Sequence, residues 1–292
     1  AVNYTAKKDG YLDFNEIRSL ALKHKPKLII AGFTAYPRII DWQKFRDIAD
    51  EVGAFFLADI AHIAGLIIGE EHPSPCRIAD VITTTTHKTL RGPRGAMILS
   101  NGKVSNPIKK VPRTKENIPT LIDRAIIPGL QGGPHNHTTA AIAVALSEAL
   151  KPEFKNYAKQ IVLNAKALAK SMIDEGLELV TGGTDNHLMI ADLSNLNVSG
   201  KDAEHNLDEI GITVNKNTVP FDSRSPFDPS GIRLGTPALT SRGMKEDDMK
   251  LIGQLIARLV KNINDNNIKE EIKKQVLELT NKYPLYPGIK YN

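Results

Sequence analysis

Residues Thr83-Thr84-Thr85-Thr86-His87-Lys88-Thr89-Leu90-Arg91-Gly92-Pro93-Arg94-Gly95 read TTTTHKTLRGPRG. Four β-branched residues in a row favour an extended strand, and His-Lys then runs into a turn punctuated by glycine and proline. Such a turn holds Lys88 at the carboxyl end of a strand, where α/β proteins place their ligands. A second cation nearby, such as Arg94, disfavours the ammonium form of that lysine and exposes an amine suited to Schiff-base chemistry. A surface lysine in a turn would satisfy the same residues, so this stretch alone leaves both readings open.

Outward from this point the chain alternates two periods. Residues 27–33 (KLIIAGF), 54–59 (AFFLAD), 79–86 (ADVITTTT) and 95–100 (GAMILS) read as buried strands. Residues 41–52 carry Trp42, Phe45, Ile48, Ala49 and Val52 on one helical stripe, with Gly53 where a C-terminal cap belongs. Buried strands alternating with amphipathic helices predict an α/β sheet covered on both faces. Four strands are few for a ligand-binding sheet, and neither a G-x-G-x-x-G nor a Walker loop is present, so the sheet reads as the second half of a larger one. Residues 101–134 lose periodicity and read as loop with one short helix. Helices are predicted over 140–150 and 153–175. Beyond Gly176 the strand-like LELV and HLMIADL, a helix near 203–210, a loop over 219–230 and helices over 245–263 and 268–280 form a smaller α+β unit. The expected domains are 1–150 and 151–292.

Composition narrows the function classes. The chain has 292 residues, 41% hydrophobic and 24% charged, which excludes a mainly disordered, collagenous or coiled-coil protein. One cysteine, Cys76, excludes an internal disulfide and a multi-cysteine zinc site. No apolar run suggests a membrane span, and AVNYTAKKDG has neither the core of a signal peptide nor an initiator Met. A cytoplasmic protein is expected, from a chain that does not start where its gene starts. The net charge of +5 is diffuse apart from Lys109, Lys110, Arg113 and Lys115, which read as a solvated loop rather than a nucleic-acid-binding tail.

Three more features carry chemistry. Asp59 ends an apolar strand, so its carboxylate lies at the same sheet edge as Lys88 and requires a cationic or proton-bearing partner. A pyridinium nitrogen would serve, as would the amides of a following helix that Asp59 caps. Arg233, within SGIRLGTP, is costly in an apolar segment unless paired, and its fork suits a carboxylate, of a substrate or of a structural salt bridge. The turn Pro128-Gly129-Leu130-Gln131-Gly132-Gly133-Pro134 could present backbone amides to a phosphate. No metal site is expected: His135 and His137 do not share a helix face.

Together with KLIIAGFTAYPR, LADIAHIAGLI, IIPGLQGGPHNH, VTGGTDNHL, VNKNTVPFDSRSPFDPSGIRLGTPALTSRG and the terminal KYPLYP, the first motif closely resembles the serine hydroxymethyltransferase family, and the likeness runs from Ala1 to about Tyr286. The resemblance implies a fold-type I, aspartate aminotransferase-like α/β fold. It implies pyridoxal phosphate on Lys88 and tetrahydrofolate as co-substrate, with serine and glycine interconverted. It assigns Asp59 to the pyridine nitrogen, His62 to the phenolic oxygen, Thr34 to the ring substituents and His87 to reaction specificity. It places Arg94 near the active lysine and makes Arg233 the carboxylate clamp. Gly132 and Gly133 match a turn that reaches the neighbouring subunit's cofactor phosphate, so a homodimer with shared active sites is implied, alone or paired into a tetramer. Asn217, Ser225, Pro226 and Phe227 match the folate-binding region. Family members carry well over a hundred residues before the point matching Ala1, including the phosphate cup, a stacking histidine and the substrate-site glutamate. The loop over 103–119 is longer and more basic than in compact members. Two further readings stay open: a folate-independent aldolase for β-hydroxy amino acids, and an inactive fragment acting as a binding module, RNA included.

Overall fold

The structure is a computed structural model and describes residues 1–102, 117–286 and 288. The basic cluster Lys109–Lys115 therefore lies outside the described residues, as does the last residue of KYPLYP. The chain divides into two compact units. The first holds Ala1–Thr5, Asp13–Thr34 and Ile40–Lys155.

It opens with α1 (Phe14–His24), whose N-cap Asp13 accepts the Asn15 and Glu16 amides. Strand β1 (Leu28–Ala31) leads to α2 (Trp42–Val52), capped by the Asp41 carboxylate and closed by Gly53 in the left-handed region. The stripe Trp42, Phe45, Ile48 and Ala49 is buried as its spacing predicts. Then follow β2 (Phe55–Asp59), the short α3 (Ala64–Ile68), β3 (Val81–Thr85) and β4 (Ala96–Ser100). The sheet order is β1-β2-β3-β4. The first two pairings are parallel and the last is antiparallel. Phe45 stacks on Phe56 at 6.0 Å between centroids beneath this sheet.

The expectation of a sheet buried on both faces is corrected here. On the inner face Ile29, Ala31, Phe56, Ala58 and Ile82 are buried. On the other, Leu28 and Ile30 of β1 are exposed, and so is Ile98 of β4, opposite Thr83; Leu99, on the inner face opposite Ile82, is exposed as well. An apolar run cannot distinguish a strand covered twice from one covered once within the same chain. The remainder of the unit is α4 (Ile118–Arg124), a kinked turn over Ala125–Leu130 in which Ile127 is extended, and α5 (Asn136–Ala149), which begins four residues earlier than its periodicity suggests.

The second unit holds Ala6–Leu12, Ala35–Ile39 and Asn156–Asn292. Helix α6 (Pro152–Asp174) enters it and is followed by β5 (Glu178–Leu179), β6 (Leu188–Asp192), α7 (Gly200–Glu209), β7 (Asn215–Asn217), β8 (Gly231–Gly235), α8 (Pro237–Ser241), α9 (Glu246–Lys261) and α10 (Asn266–Lys282). Its sheet is antiparallel throughout, in the order β5-β6-β8-β7. The core joins Leu168 and Met172 of α6, Met189 and Ala191 of β6, Leu207 of α7, Ile232 of β8, and Ile256 and Leu259 of α9. No helix among the described residues is long and apolar enough to cross a membrane.

One buried ion pair anchors the first unit. Asp80, 2% exposed, accepts from Arg46 Nη1 at 2.8 Å and from the Phe56 amide at 2.9 Å. Arg46 also donates to the Ala54 carbonyl. Burial opposes the Arg46 charge, but its bonds to Asp80 and Asp50 outweigh that and hold its pKa above the usual value. Removing the carboxylate takes away the buried partner of a partly desolvated guanidinium, leaving it only the exposed Asp50, and also frees the Phe56 amide. Asp80→Ala is therefore expected to destabilise the protein by about 3–5 kcal/mol in urea denaturation, and Asp80→Asn by less, because the amide keeps an acceptor for Arg46.

Candidate active site

The site is built on the carboxyl edge of β2 and β3. These strands run parallel with Asp59 opposite Thr83, so the chain leaves both at the same edge. The Ile60 amide donates to the Thr83 carbonyl at 2.9 Å, carrying the pairing one residue further. Threonine hydroxyls then stitch the two exits together. Thr85 Oγ1 donates to the Ala61 carbonyl at 3.3 Å, and Thr89 Oγ1 donates to the His62 carbonyl at 3.0 Å while accepting the Gly65 amide at 3.0 Å.

Lys88 starts a tight turn closed by the Arg91 amide on the Lys88 carbonyl at 2.9 Å. Arg91 takes φ 58°, and its guanidinium lies over the Phe154 ring. Thr86 fastens the base of the loop: its amide donates to the Gly95 carbonyl, its carbonyl accepts the Gly92 amide at 2.7 Å, and its Oγ1 donates to the Pro93 carbonyl at 2.7 Å. Lys88 and His87 are half-buried there, and Arg94 on the outer limb is exposed. Buried His87 Nδ1 has no hydrogen-bond partner among the described residues, a state a polar partner from outside the chain would relieve.

Asp59 is half-buried, and its Oδ1 accepts the Ala61 amide at 2.9 Å. Asp59 does not cap the following helix, since α3 is preceded by Ile63 with no side-chain cap; Oδ1 instead closes a local turn on Ala61, and Oδ2 is the oxygen that would meet a proton-bearing partner. Gly32, just past β1, comes so close that a Cβ there would sit 2.0 Å from the Asp59 carbonyl oxygen, at φ +127°. Only glycine fits there; Thr34, two residues on, is exposed. Asp59, His62, His87 and Lys88 are therefore gathered on one edge. Gly132 and Gly133 are exposed ahead of α5, and a Cβ on either would meet nothing within 4 Å.

In the second unit, Arg233 is central to β8, opposite Ile190 of β6 and Asn215 of β7. Its Nη2 donates to Asn215 Oδ1 at 3.1 Å. Burial lowers the guanidinium pKa, the direction expected where solvent is partly excluded from a cation. Asn217 pairs with Gly231 on the same sheet, and its Nδ2 donates to the Thr218 carbonyl at 2.7 Å. Ser225, Pro226 and Phe227 lie on the exposed loop between β7 and β8, with Phe227 83% exposed.

The residue that organises this loop escapes the sequence reading. Asp222 accepts the Ser230 hydroxyl at 2.6 Å, the Ser230 amide at 2.9 Å, the Arg224 amide at 2.9 Å and the Val219 amide at 3.3 Å. An Asp two residues before Arg224 in a Pro/Ser-rich loop is an Asx-turn signal that could have marked it. Thr85, Thr89 and Gly32 are also missed: the threonines read as strand formers, and close approach is invisible in one sequence.

The serine hydroxymethyltransferase family profile matches residues 1–256. The chain belongs to this family. It is 53% identical over 291 residues to the serine hydroxymethyltransferase of Desulfotalea psychrophila, covering 100% of this chain and 65% of that protein. It is 51% identical over 279 residues to the serine hydroxymethyltransferase of Rippkaea orientalis, covering 96% of this chain and 63% of that protein. The chain thus spans just under two thirds of the length of these curated relatives. Its fold is the fold-type I, mixed α/β class expected of the family.

The Asp222 contacts give a pH signature. Burial raises its pKa, but the bonds from Ser230, Arg224 and Val219 prevail and hold the carboxyl below its ordinary value of 3.8. A depressed carboxylate contributes stability that is complete above the unfolded-state pKa and is lost as pH falls through the folded-state value. Wild type is expected to exceed Asp222→Asn in stability near neutral pH, with the gap closing below pH 3.8. Parallel melting curves from neutral to acid pH check this.

Proposed function

We propose that the protein carrying this chain interconverts serine and glycine, with tetrahydrofolate as the one-carbon acceptor and pyridoxal phosphate as cofactor. The observation that carries the reading is the placement of Lys88 and Asp59 at one edge of adjacent parallel strands, within a family of this name. The donor set fits the cofactor: an amine, a carboxylate with Oδ1 committed to an amide, and an unsatisfied buried imidazole nitrogen on His87. When bound, pyridoxal phosphate supplies the electron sink for a carbanion at the amino acid's Cα.

The chain's own residues then bind, orient and hold protons. Lys88 supplies the amine that retains the cofactor. Asp59 Oδ2 holds the proton on the ring nitrogen, where a negative partner favours the charged ring. His62 and Thr34 serve the ring substituents, and His87 bears on which bond breaks. Arg94 matches the family's arginine near the active lysine. Arg233 clamps the substrate carboxylate and so sets which Cα bond is aligned for cleavage. Asn217, Ser225, Pro226 and Phe227 receive folate, with Phe227 offering an aromatic face. Gly132 and Gly133 give backbone amides to the cofactor phosphate of the other subunit in a homodimer or a tetramer built from it. In domain terms, residues 1–150 belong to the large cofactor-binding domain and 151–292 to the small one. The protein works in the cytoplasm.

Two experiments on the full-length protein test the reading. Borohydride reduction of the pyridoxal phosphate-loaded protein should label Lys88, and a label on another lysine would overturn the assignment. Arg233→Lys should raise the serine KM by roughly ten- to hundredfold, because losing charge-assisted hydrogen bonds costs about 1.5–3 kcal/mol. A near-normal KM would remove the clamp.

A further inference from the structure

The turn Thr181–His187 is held by segments far away in sequence. Tyr11 Oη donates to the Thr181 carbonyl at 3.3 Å. The backbone of the strap Ala35–Ile39 adds four bonds: Asn186 Nδ2 donates to the Tyr36 carbonyl at 2.9 Å, the Asp185 amide at 2.8 Å and Thr184 Oγ1 at 3.1 Å donate to the Pro37 carbonyl, and the Ile39 amide donates to Asp185 Oδ2 at 3.4 Å. Arg38 dominates this cluster. Its Nε donates to Thr181 Oγ1 at 3.0 Å, its Nη1 to Asp185 Oδ1 at 2.8 Å, and its Nη2 to the Thr181 carbonyl. The side chain is 19% exposed and packs over the Tyr11 ring.

The turn needs such a clamp. Thr181 is buried at φ 63°, a left-handed conformation that a β-branched residue avoids, and Gly182 follows at φ 68°. A non-glycine residue in that region is strained and persists only where its surroundings over-determine it. Arg38 grips both the hydroxyl and the carbonyl of Thr181, and it braces the far limb through Asp185.

The turn also leads directly to the substrate clamp. Asn186 Oδ1 accepts the Leu188 amide at 3.0 Å as β6 begins. The His187 carbonyl accepts the Thr236 amide at 3.0 Å just past β8. From there the register runs Leu188 to Gly235 and Ile190 to Arg233. The fork of Arg233 is therefore set by strands whose shared end the turn fixes.

The geometry points to Arg38 as a positioning residue for substrate carboxylate binding, acting through the Thr181–His187 turn on Arg233. This inference rests on reading Arg233 as the carboxylate clamp.

The test uses the full-length, pyridoxal phosphate-loaded protein well below the melting temperature of each variant. Spectral titration measures affinity for glycine and for methylamine, which lacks the carboxylate. Arg38→Ala is expected to weaken glycine binding by about tenfold or more, the scale of a misplaced contact group, with methylamine binding unchanged. Arg38→Lys, which keeps the charge beside Asp185 but not the fork on Thr181, should recover part of the glycine affinity. In the Arg233→Lys background, Arg38→Ala should have little further effect, since the clamp it serves is gone. Unchanged glycine affinity, equal weakening toward both amines, or full additivity with Arg233→Lys would each overturn the inference. Arg233→Lys alone tests the underlying reading: near-normal glycine affinity there removes the clamp itself, an outcome distinguishable from failure of the Arg38 variants.

Discussion

The parallel pairing of β2 with β3 is the constraint on which the candidate site depends. With Asp59 opposite Thr83, the carboxylate at the end of one strand and the lysine beyond the other leave the sheet in the same direction. A slip of one residue would turn every side chain to the opposite face. The register is fixed twice. Phe56, Ala58, Ile82 and Thr84 are buried on one face, and past the strand ends Thr85 and Thr89 bond across to the Ala61 and His62 carbonyls. The first device is hydrophobic and sets the strands. The second is polar and sets the loops, where chemistry is placed.

That division explains what can be read without coordinates. The apolar runs of β1, β2 and β3 and the stripe of α2 announce themselves, because burial imposes a period on residue type. The exit of Lys88 and Asp59 at one edge follows from strand polarity alone. The polar staples do not show. Thr85 and Thr89 belong to a threonine-rich run that reads as strand propensity, and a hydroxyl's partner cannot be inferred from its neighbours in sequence. Gly32 is equally silent: its role is to let β1 approach Asp59 more closely than any Cβ permits.

The second unit is harder to read for a different reason. Strand β8 is Gly-Ile-Arg-Leu-Gly, and its glycines and arginine break the alternation that marks a strand. Gly231 is required there because a Cβ would fall 2.8 Å from the Ala191 carbonyl oxygen. The pattern is sacrificed where the strands press together and where Arg233 must stand. The contribution of Ala6–Leu12 and Ala35–Ile39 to this unit is wholly non-local, and no window along the chain contains it. In the first unit helix α1 hides in another way: only Ile17 and Ala21 of its eleven residues are buried, too few for a clear stripe.

Arg233 shows why local rules yield at such places. Burial disfavours its charge and lowers its pKa. A lysine in the same surroundings would shed its proton far more readily, because the ammonium starts from a lower pKa and is more strongly hydrated. Guanidinium keeps its charge through partial desolvation, and Asn215 satisfies one Nη without neutralising it. A neutral partner is the appropriate one. A carboxylate in the position of Asn215 would strengthen the strand pair but compete with any anion arriving from solution. The partner that β7 offers to this half-buried cation is thus an amide oxygen rather than a charge.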